Sequence, residues 1–393
     1  MISTWLYLSL LISTIIFATA YISLISYSST VVVRISSLSK YEKLLRLGLN
    51  SFRCPCTKIS VPYKDFVSIE ATFHQVCDSD FVNQPWIYDL FDFGGWRWFE
   101  VFDIRIRGAA YFGLLSSLCR MSKTAIANAL SQYLSETFVN TDMLTESEFH
   151  SRINASIDLF EKTTAAQFAT VLRILNQLTH ASTFVSTYLL NWEWQPPIHE
   201  TLHRLQTLPA TYHVGCSCGT RSDCARNAEI FNLYTSSSIW IIPGFFVGCS
   251  SVATLLQSTL ECFYNQSCIE TLIIYARDTF WGISMSSAEV TALDPDNVSR
   301  YTPNTTIQEI VEILFVEKWQ KSVSYTAFYQ ACAPIQCSYS YEKRNDILYI
   351  SATILSIYGG ATAILRLVVP YFVSLSMHIV HHRMPTIRPS ASI

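Results

Sequence analysis

A long uncharged apolar segment stands at each end of the chain. Residues 1–33 contain no charged side chain, and the stretch 5–27 is long enough to cross a hydrocarbon core of about 30 Å as a helix. The second segment is uncharged over 347–365 and continues past Arg366 with the apolar residues 367–375. The sequence therefore predicts an integral membrane protein that crosses the lipid bilayer twice.

The first segment allows a second interpretation, in which residues 1–20 are a cleaved signal peptide. Ala18-Thr19-Ala20 resembles a small-residue cleavage site. However, no basic residue precedes the apolar run, and the run continues well past Ala20. These features favour an uncleaved transmembrane helix.

Twelve cysteines, an even number, all lie between the two apolar ends. This placement is typical of an oxidising compartment, where thiols pair. The connectivity is open, although Cys332 with Cys337 and Cys262 with Cys268 are close enough for local bridges. All twelve are predicted disulfide cysteines: Cys54, Cys56, Cys77, Cys119, Cys216, Cys218, Cys224, Cys249, Cys262, Cys268, Cys332 and Cys337.

The cysteines also decide the predicted orientation. The C-terminal tail carries Arg383 and Arg388, which favour the cytoplasm. Basic residues after the first segment would prefer the same side, but long loops obey this bias poorly, and paired thiols belong outside. We predict a plasma-membrane protein with both termini cytoplasmic. Its segments are a helix in 1–33, an extracellular domain in 34–346, a helix in 347–376 and a tail in 377–393.

Two further features agree with this topology. Four glycosylation sequons lie between the apolar ends and predict a glycoprotein, at Asn154, Asn265, Asn297 and Asn304. In the second span, Ala352, Ser356 and Gly360 recur every four residues and form a small-residue stripe. Such a stripe lets a second helix approach closely, so it predicts a homo-oligomer through the transmembrane helices, although small residues are common in membrane helices.

The middle of the chain favours helices. Neither glycine nor proline occurs between Leu114 and Gln195, which predicts one helix over 110–138 and a second from Thr145 to about Asn191. Thr145 and Glu148 form a capping-box pattern. The second helix carries a heptad stripe that favours packing within the chain or, alternatively, self-association: Ile157, Phe160, Thr164, Phe168, Val171, Leu175, Leu178, Ser182, Val185 and Leu189.

Shorter helices are predicted between Cys249 and Asn265 and from Asn304, a good cap, toward Trp319. Strand signals are scattered. The predicted fold class is mainly α, with two transmembrane helices flanking a disulfide-bonded, predominantly helical ectodomain of minor β structure.

The segment His199-Glu200-Thr201-Leu202-His203 matches the zinc-binding pattern H-E-x-x-H. Pro196 and Pro197 would force a helix to begin at the motif itself, and Arg204 follows the second histidine. No third histidine has the spacing of a metzincin, and Glu229 is a conceivable but distant ligand. We therefore assign no metal or cofactor, and we keep a zinc ectopeptidase as an alternative.

Other activities have less support. Glycine-rich nucleotide loops and the G-x-S-x-G pattern are absent, and a net charge of −3 gives no basic excess for nucleic acid. Trp86, Trp96 and Trp98 form an aromatic patch, and we expect these rings to lie in the core rather than on a ligand-binding surface.

The layout of two spans around a cysteine-rich ectodomain is that of degenerin and epithelial sodium channels. A ring of Arg366 side chains, however, would repel cations.

Several motifs carry a resemblance across most of the chain. They are Cys54-Pro-Cys56, residues 74–82, Pro243-Gly-Phe-Phe-Val-Gly-Cys249, residues 260–265, Cys332-Ala-Pro334 with Cys337, and Gly359-Gly360 before Leu365-Arg366. With them the chain resembles a family of two-pass membrane proteins that is expanded in rotifers. The resemblance implies topology and brings no catalytic or binding residues. Our leading hypothesis is a cell-surface receptor or interaction protein with an extracellular ligand, and the alternatives are an ion channel subunit and the ectopeptidase.

Overall fold

The computed structural model describes residues 2–89, 102–181, 191–195, 206–213, 215–232, 234–277 and 290–383. The α-helices of this part are α1 Ile2–Leu24, α2 Leu38–Arg46, α3 Ile104–Ser135, α4 Glu146–Ala181, α5 Ser251–Gln257, α6 Gln266–Arg277, α7 Ile307–Glu312, α8 Tyr325–Cys332 and α9 Ile347–Arg383. Its strands are β1 Ser26–Arg34, β2 Ser60–Pro62, β3 Val67–Phe73, β4 Thr137–Val139, β5 Trp192–Gln195, β6 Gln206–Pro209, β7 Thr211–His213, β8 Cys216–Ser217, β9 Ala225–Phe231, β10 Ser238–Gly248, β11 Val316–Val323 and β12 Gln336–Arg344.

The chain falls into two compact units. Unit 1 comprises Met1–Ile59, Asn140–Met143 and Cys332–Ile393, and unit 2 comprises Ser60–Val139 and Leu144–Ala331. The two terminal helices therefore belong to one unit, although they lie at opposite ends of the sequence.

In unit 1, α1 and α9 pack against each other and leave most of their apolar surface exposed. Both helices are long and apolar enough to cross a membrane, and only 6% of the apolar stretch of each is buried. Trp5 is 75% exposed, Phe17 74% and Leu355 75%. A helix that is apolar on all sides and uncovered by protein is suited to a lipid environment, so the two helices suggest membrane insertion.

A two-stranded antiparallel ribbon follows α1 and precedes α9. The pairing of β1 with β12 runs from Ser26↔Arg344 to Arg34↔Gln336. The two strands lie more than 300 residues apart in sequence, so they are brought together only by the fold. The predicted membrane segment 1–33 is thus too long, because α1 ends at Leu24 and β1 begins at Ser26. At the other end, α9 continues past residue 376 to Arg383, into the predicted tail.

The core of unit 2 forms around α3. Asp103 caps this helix through its carboxylate, which accepts the Arg105 N–H at 2.9 Å. The buried side of α3 includes Tyr111 and Phe112, and the Phe112 ring packs edge-on against Phe263 with ring centroids 5.4 Å apart. The predicted helix over 110–138 is confirmed in type, with observed bounds of 104 and 135.

Helix α4 confirms the capping box. The Glu148 N–H donates to Thr145 Oγ1 at 3.3 Å, and the Thr145 N–H donates to Glu148 Oε2 at 3.3 Å. The first part of the predicted stripe is core, because Ile157 and Phe160 are buried. Val171, Leu175 and Leu178 are exposed, and Ser182, Val185 and Leu189 lie outside the described residues.

The expectation of only minor β structure is wrong. The described residues hold six two-stranded antiparallel sheets. Most of these strands are short or pair with residues distant in sequence, as β3 does with β11, so local patterning revealed few of them. The fold is mainly α, but the region between the terminal helices is a mixture of helices and strands.

The helix predicted from Asn304 toward Trp319 is also corrected. Its cap is Thr306, whose Oγ1 accepts the Glu309 N–H at 3.3 Å, and α7 ends at Glu312. Leu314 and Phe315 then adopt positive φ angles of 60° and 57°. This turn ends the helical stretch and directs the chain into β11.

Candidate functional site

A cleft of about 290 Å³ lies between α3 and α4 in unit 2. Its lining combines polar side chains with aromatic rings and with the apolar side chains of Ala129 and Leu159. The lining includes Gln132, Tyr133, Glu136, Ser156, Phe160, Thr163, Thr164 and Gln167. A concave surface with apolar and aromatic walls and a few convergent polar groups is the usual form of a small-molecule site.

Tyr133 forms the floor of this α3–α4 cleft and is held on both sides. Its ring stacks on Tyr63 with centroids 4.7 Å apart and contacts Phe160 at 4.8 Å. Its hydroxyl donates to Ser156 Oγ at 3.1 Å, and Ser156 Oγ donates to the Tyr63 hydroxyl at 3.3 Å. The floor is therefore fixed before any ligand arrives.

The electrostatics of the cleft favour positive charge. Burial raises the pKa of the Tyr133 hydroxyl to about 12, so this group stays neutral at physiological pH. Glu136 is the charged member among the described lining residues, and it is exposed at the C-terminal end of α3. A helix C-terminus already carries partial negative charge, so the carboxylate adds to an electronegative site that suits a cation.

The sequence did not point to this site. The helical period places Tyr133 and Glu136 one turn apart, but it cannot show that α4 presents Ser156 opposite them. The available signal was an aromatic residue followed three positions later by an acid near the end of a long helix, a pattern too common to single out.

The twelve cysteines, all within the described residues, form six disulfides. The local bridge Cys262–Cys268 is present. The local bridge between Cys332 and Cys337 is not formed, because β12 lies beside the segment that carries the earlier pair of cysteines. The remaining bonds are Cys54–Cys337, Cys56–Cys332, Cys77–Cys119, Cys216–Cys224 and Cys218–Cys249.

The zinc-binding motif, with His199, Glu200 and His203, lies outside the described residues. The conceivable further ligand Glu229 is described, and its carboxylate contacts the Arg226 guanidinium at 2.7 Å. In the described ranges, no group of three or more metal-ligating side chains comes together.

The structure describes only one tryptophan of the aromatic patch, Trp86. Trp86 is buried and packs edge-on against Phe81 at 5.2 Å and Phe112 at 5.3 Å, so its assignment to the core is confirmed. Trp96 and Trp98 lie outside the described residues.

The small-residue stripe and the sequons lie on exposed surface. Ala352, Ser356 and Gly360 are exposed on α9, and a Cβ added at Gly360 would meet no heavy atom within 4 Å. Self-association through this stripe stays a prediction. All four sequon asparagines are exposed: Asn154, Asn265, Asn297 and Asn304.

The sequons differ in local structure. Asn154 lies within α4, and the Asn265 side chain is occupied, because its Oδ1 accepts the N–H groups of Ser267 and Cys268. Asn297 precedes Val298, which is 96% exposed, so this turn is open to a modifying enzyme.

No known protein family, curated protein or solved structure matches this chain.

Proposed function

We propose that this chain is a two-pass membrane protein of the receptor or interaction type. Its disulfide-bonded middle faces the extracellular side and binds a small, polar, amine-bearing ligand in the α3–α4 cleft. The observation that carries the proposal is the fixed aromatic floor at Tyr133 beside the exposed carboxylate of Glu136. For the channel and ectopeptidase alternatives, the described residues offer no observation in favour.

Two features of different origin support the proposed topology. The exposed apolar surfaces of α1 and α9 need lipid, and six disulfides need an oxidising compartment. Both termini are then on the cytoplasmic side, and the region between α1 and α9 passes through the secretory pathway to the cell surface.

Glycosylation tests this topology. In protein expressed in eukaryotic cells, we expect a glycan at Asn297, removable by an amidase, because the sequon lies in an exposed turn. An Asn297→Gln variant should lose one glycan mass on a gel, whereas Asn265→Gln, whose asparagine already caps α6, should run unchanged. A chain that carries no glycan at any sequon and is labelled only from the cytosol would contradict the proposed orientation.

Ligand binding tests the cleft. We would screen the full chain in detergent with a panel of small primary and quaternary amines, using saturation-transfer NMR. Any amine that binds should lose affinity severalfold on Glu136→Gln, because an exposed carboxylate contributes up to about 1 kcal/mol to such a pair. The matched control is Glu70→Gln, which changes an exposed glutamate on β3. Equal losses in both variants, or no amine bound by the wild type, would overturn the assignment of the cleft.

A further inference from the structure

A buried histidine lies next to the point where β3 ends in unit 2. The His74 side chain is 1% exposed, and its backbone N–H donates to the Phe315 carbonyl at 2.7 Å. His74 also caps the short 3-10 helix Gln75–Asp78, because its Nδ1 accepts the Val76 N–H at 3.2 Å. An Nδ1 that accepts from a backbone N–H carries no proton, so neutral His74 has its hydrogen on Nε2.

The other ring nitrogen faces two ionisable groups. Nε2 lies 3.1 Å from the Tyr264 hydroxyl and 3.9 Å from Glu317 Oε1. Tyr264 comes from the 3-10 helix Glu261–Tyr264, and Glu317 lies at an irregularity in the β3–β11 ladder. From the loop before α7, the Tyr301 ring packs edge-on against the imidazole at 5.6 Å, and Arg300 lies over that tyrosine.

Glu317 offsets only part of the cost of a charge on the buried His74. Its Oε1 already accepts from Ser299 Oγ at 2.7 Å, and its Oε2 accepts the Arg300 N–H at 2.9 Å. Burial lowers the pKa of His74 below the ordinary value of 6.5, and the opposing attraction of Glu317 is the smaller effect. The imidazole is therefore neutral at pH 7.

The turn that His74 caps holds a second segment. The Gln75 side chain accepts the Asp294 N–H at 2.9 Å and donates to the Asp294 carbonyl at 2.9 Å. Its Nε2 also contacts the Tyr264 hydroxyl at 3.4 Å, the same hydroxyl that faces His74. Capping of the turn and anchoring of the segment around Asp294 are thus coupled.

We propose that His74 is an acid-sensitive latch, which holds the turn Gln75–Asp78 and the anchored segment 290–301 in place when neutral and releases both when protonated. Protonation adds a hydrogen at Nδ1, so that two N–H donors then face each other and the cap to Val76 is lost. The latch does not depend on the α3–α4 cleft or on its ligand. A protein that passes between the cell surface and acidified compartments would meet the required pH range.

The direction of the pH effect follows from the lowered pKa. Well above pH 6.5 the imidazole is neutral in both the closed and the open turn, and the closed form has its full stability. As the pH falls below 6.5, the open form takes up a proton first, so the closed form loses stability until His74 itself titrates in the folded protein. At a pH below both pKa values, the equilibrium constant for closing the turn is lower by about tenfold for each unit by which folding lowers the pKa of His74.

Hydrogen–deuterium exchange of the full chain in detergent tests the latch. Peptides covering 74–82 and 290–301 would be followed at pH 7.4 and 5.5, with rates corrected for the intrinsic pH dependence of exchange. In the wild type, we expect the protection of both peptides to fall at pH 5.5. In His74→Asn it should not change, because the Asn amide oxygen can still accept the Val76 N–H but cannot gain a proton.

Two further measurements separate the latch from general acid damage. Glu317→Gln removes the Glu317 attraction that favours protonated His74 in the folded protein, so the pKa of His74 should fall further and the loss of protection at pH 5.5 should be larger than in the wild type. NMR titration of the His74 ring in the wild type needs no variant and should give a midpoint below 6.5. The proposal is overturned if His74→Asn loses protection as the wild type does, if acid leaves protection unchanged or increases it, or if the midpoint lies above 6.5.

Discussion

Replacement of Asp103 by alanine should destabilise unit 2 by about 3–5 kcal/mol, because it removes the carboxylate that pairs with the buried Arg105 guanidinium. Asp103 is fully buried, and its Oδ2 accepts Arg105 Nη2 at 2.7 Å and the Phe231 N–H at 3.0 Å. Arg105 Nη2 in turn donates to the Phe231 carbonyl at 2.6 Å. One carboxylate thus caps α3, neutralises a buried cation and joins the start of α3 to the end of β9.

Thermal or denaturant unfolding of the full chain, followed by circular dichroism in detergent, measures this loss. The matched control is Asp158→Ala, which removes a half-exposed carboxylate from a surface pair with Lys321, and the loss should stay below about 1 kcal/mol. Asp103→Asn keeps the shape of the side chain and the cap of α3, so its loss of stability should lie between those of Asp103→Ala and Asp158→Ala. If Asp103→Ala costs no more than the control, the buried pair does not stabilise the unit.

Removal of both disulfides that join residues 54 and 56 to the segment 332–337 should cost more than the two single removals together. Cys54–Cys337 and Cys56–Cys332 each close almost the same large loop, with sequence separations of 283 and 276 residues. While either bond remains, that loop stays closed. By loop-closure entropy, we expect about 2–3 kcal/mol for either single serine pair and about 8 kcal/mol for the double.

The comparison requires unfolding measurements under non-reducing conditions on both single variants and the double. Replacing Cys262 and Cys268 by serine is the control, because that bond spans only 6 residues and its removal should cost about 2 kcal/mol. Additive losses, with the double equal to the sum of the singles, would show that the bonds stabilise unit 1 by local packing and not by closing a common loop.

Neither the α3–α4 cleft nor the group of side chains around His74 could be predicted from the sequence pattern. In both places the helical or strand period identifies a buried or exposed position, but the chemistry depends on a side chain from another element. Tyr133 meets Ser156 from α4, and His74 meets Tyr264 and Glu317 from two distant segments. Contacts of this kind depend on how the fold places distant segments, and the spacing of residues along the sequence does not give that information.

The sequence by itself determined the features that depend on neighbouring residues. These are the two apolar helices, the long helices α3 and α4 in a stretch free of glycine and proline, and the capping box at Thr145 and Glu148. Only the tertiary structure decided the pairing of β1 with β12, the partners of Cys332 and Cys337, and the end of α7 at Glu312. The reason is physical: helix hydrogen bonds and caps form within a few residues, whereas strand ladders and disulfides form between segments that the fold brings together across hundreds of residues.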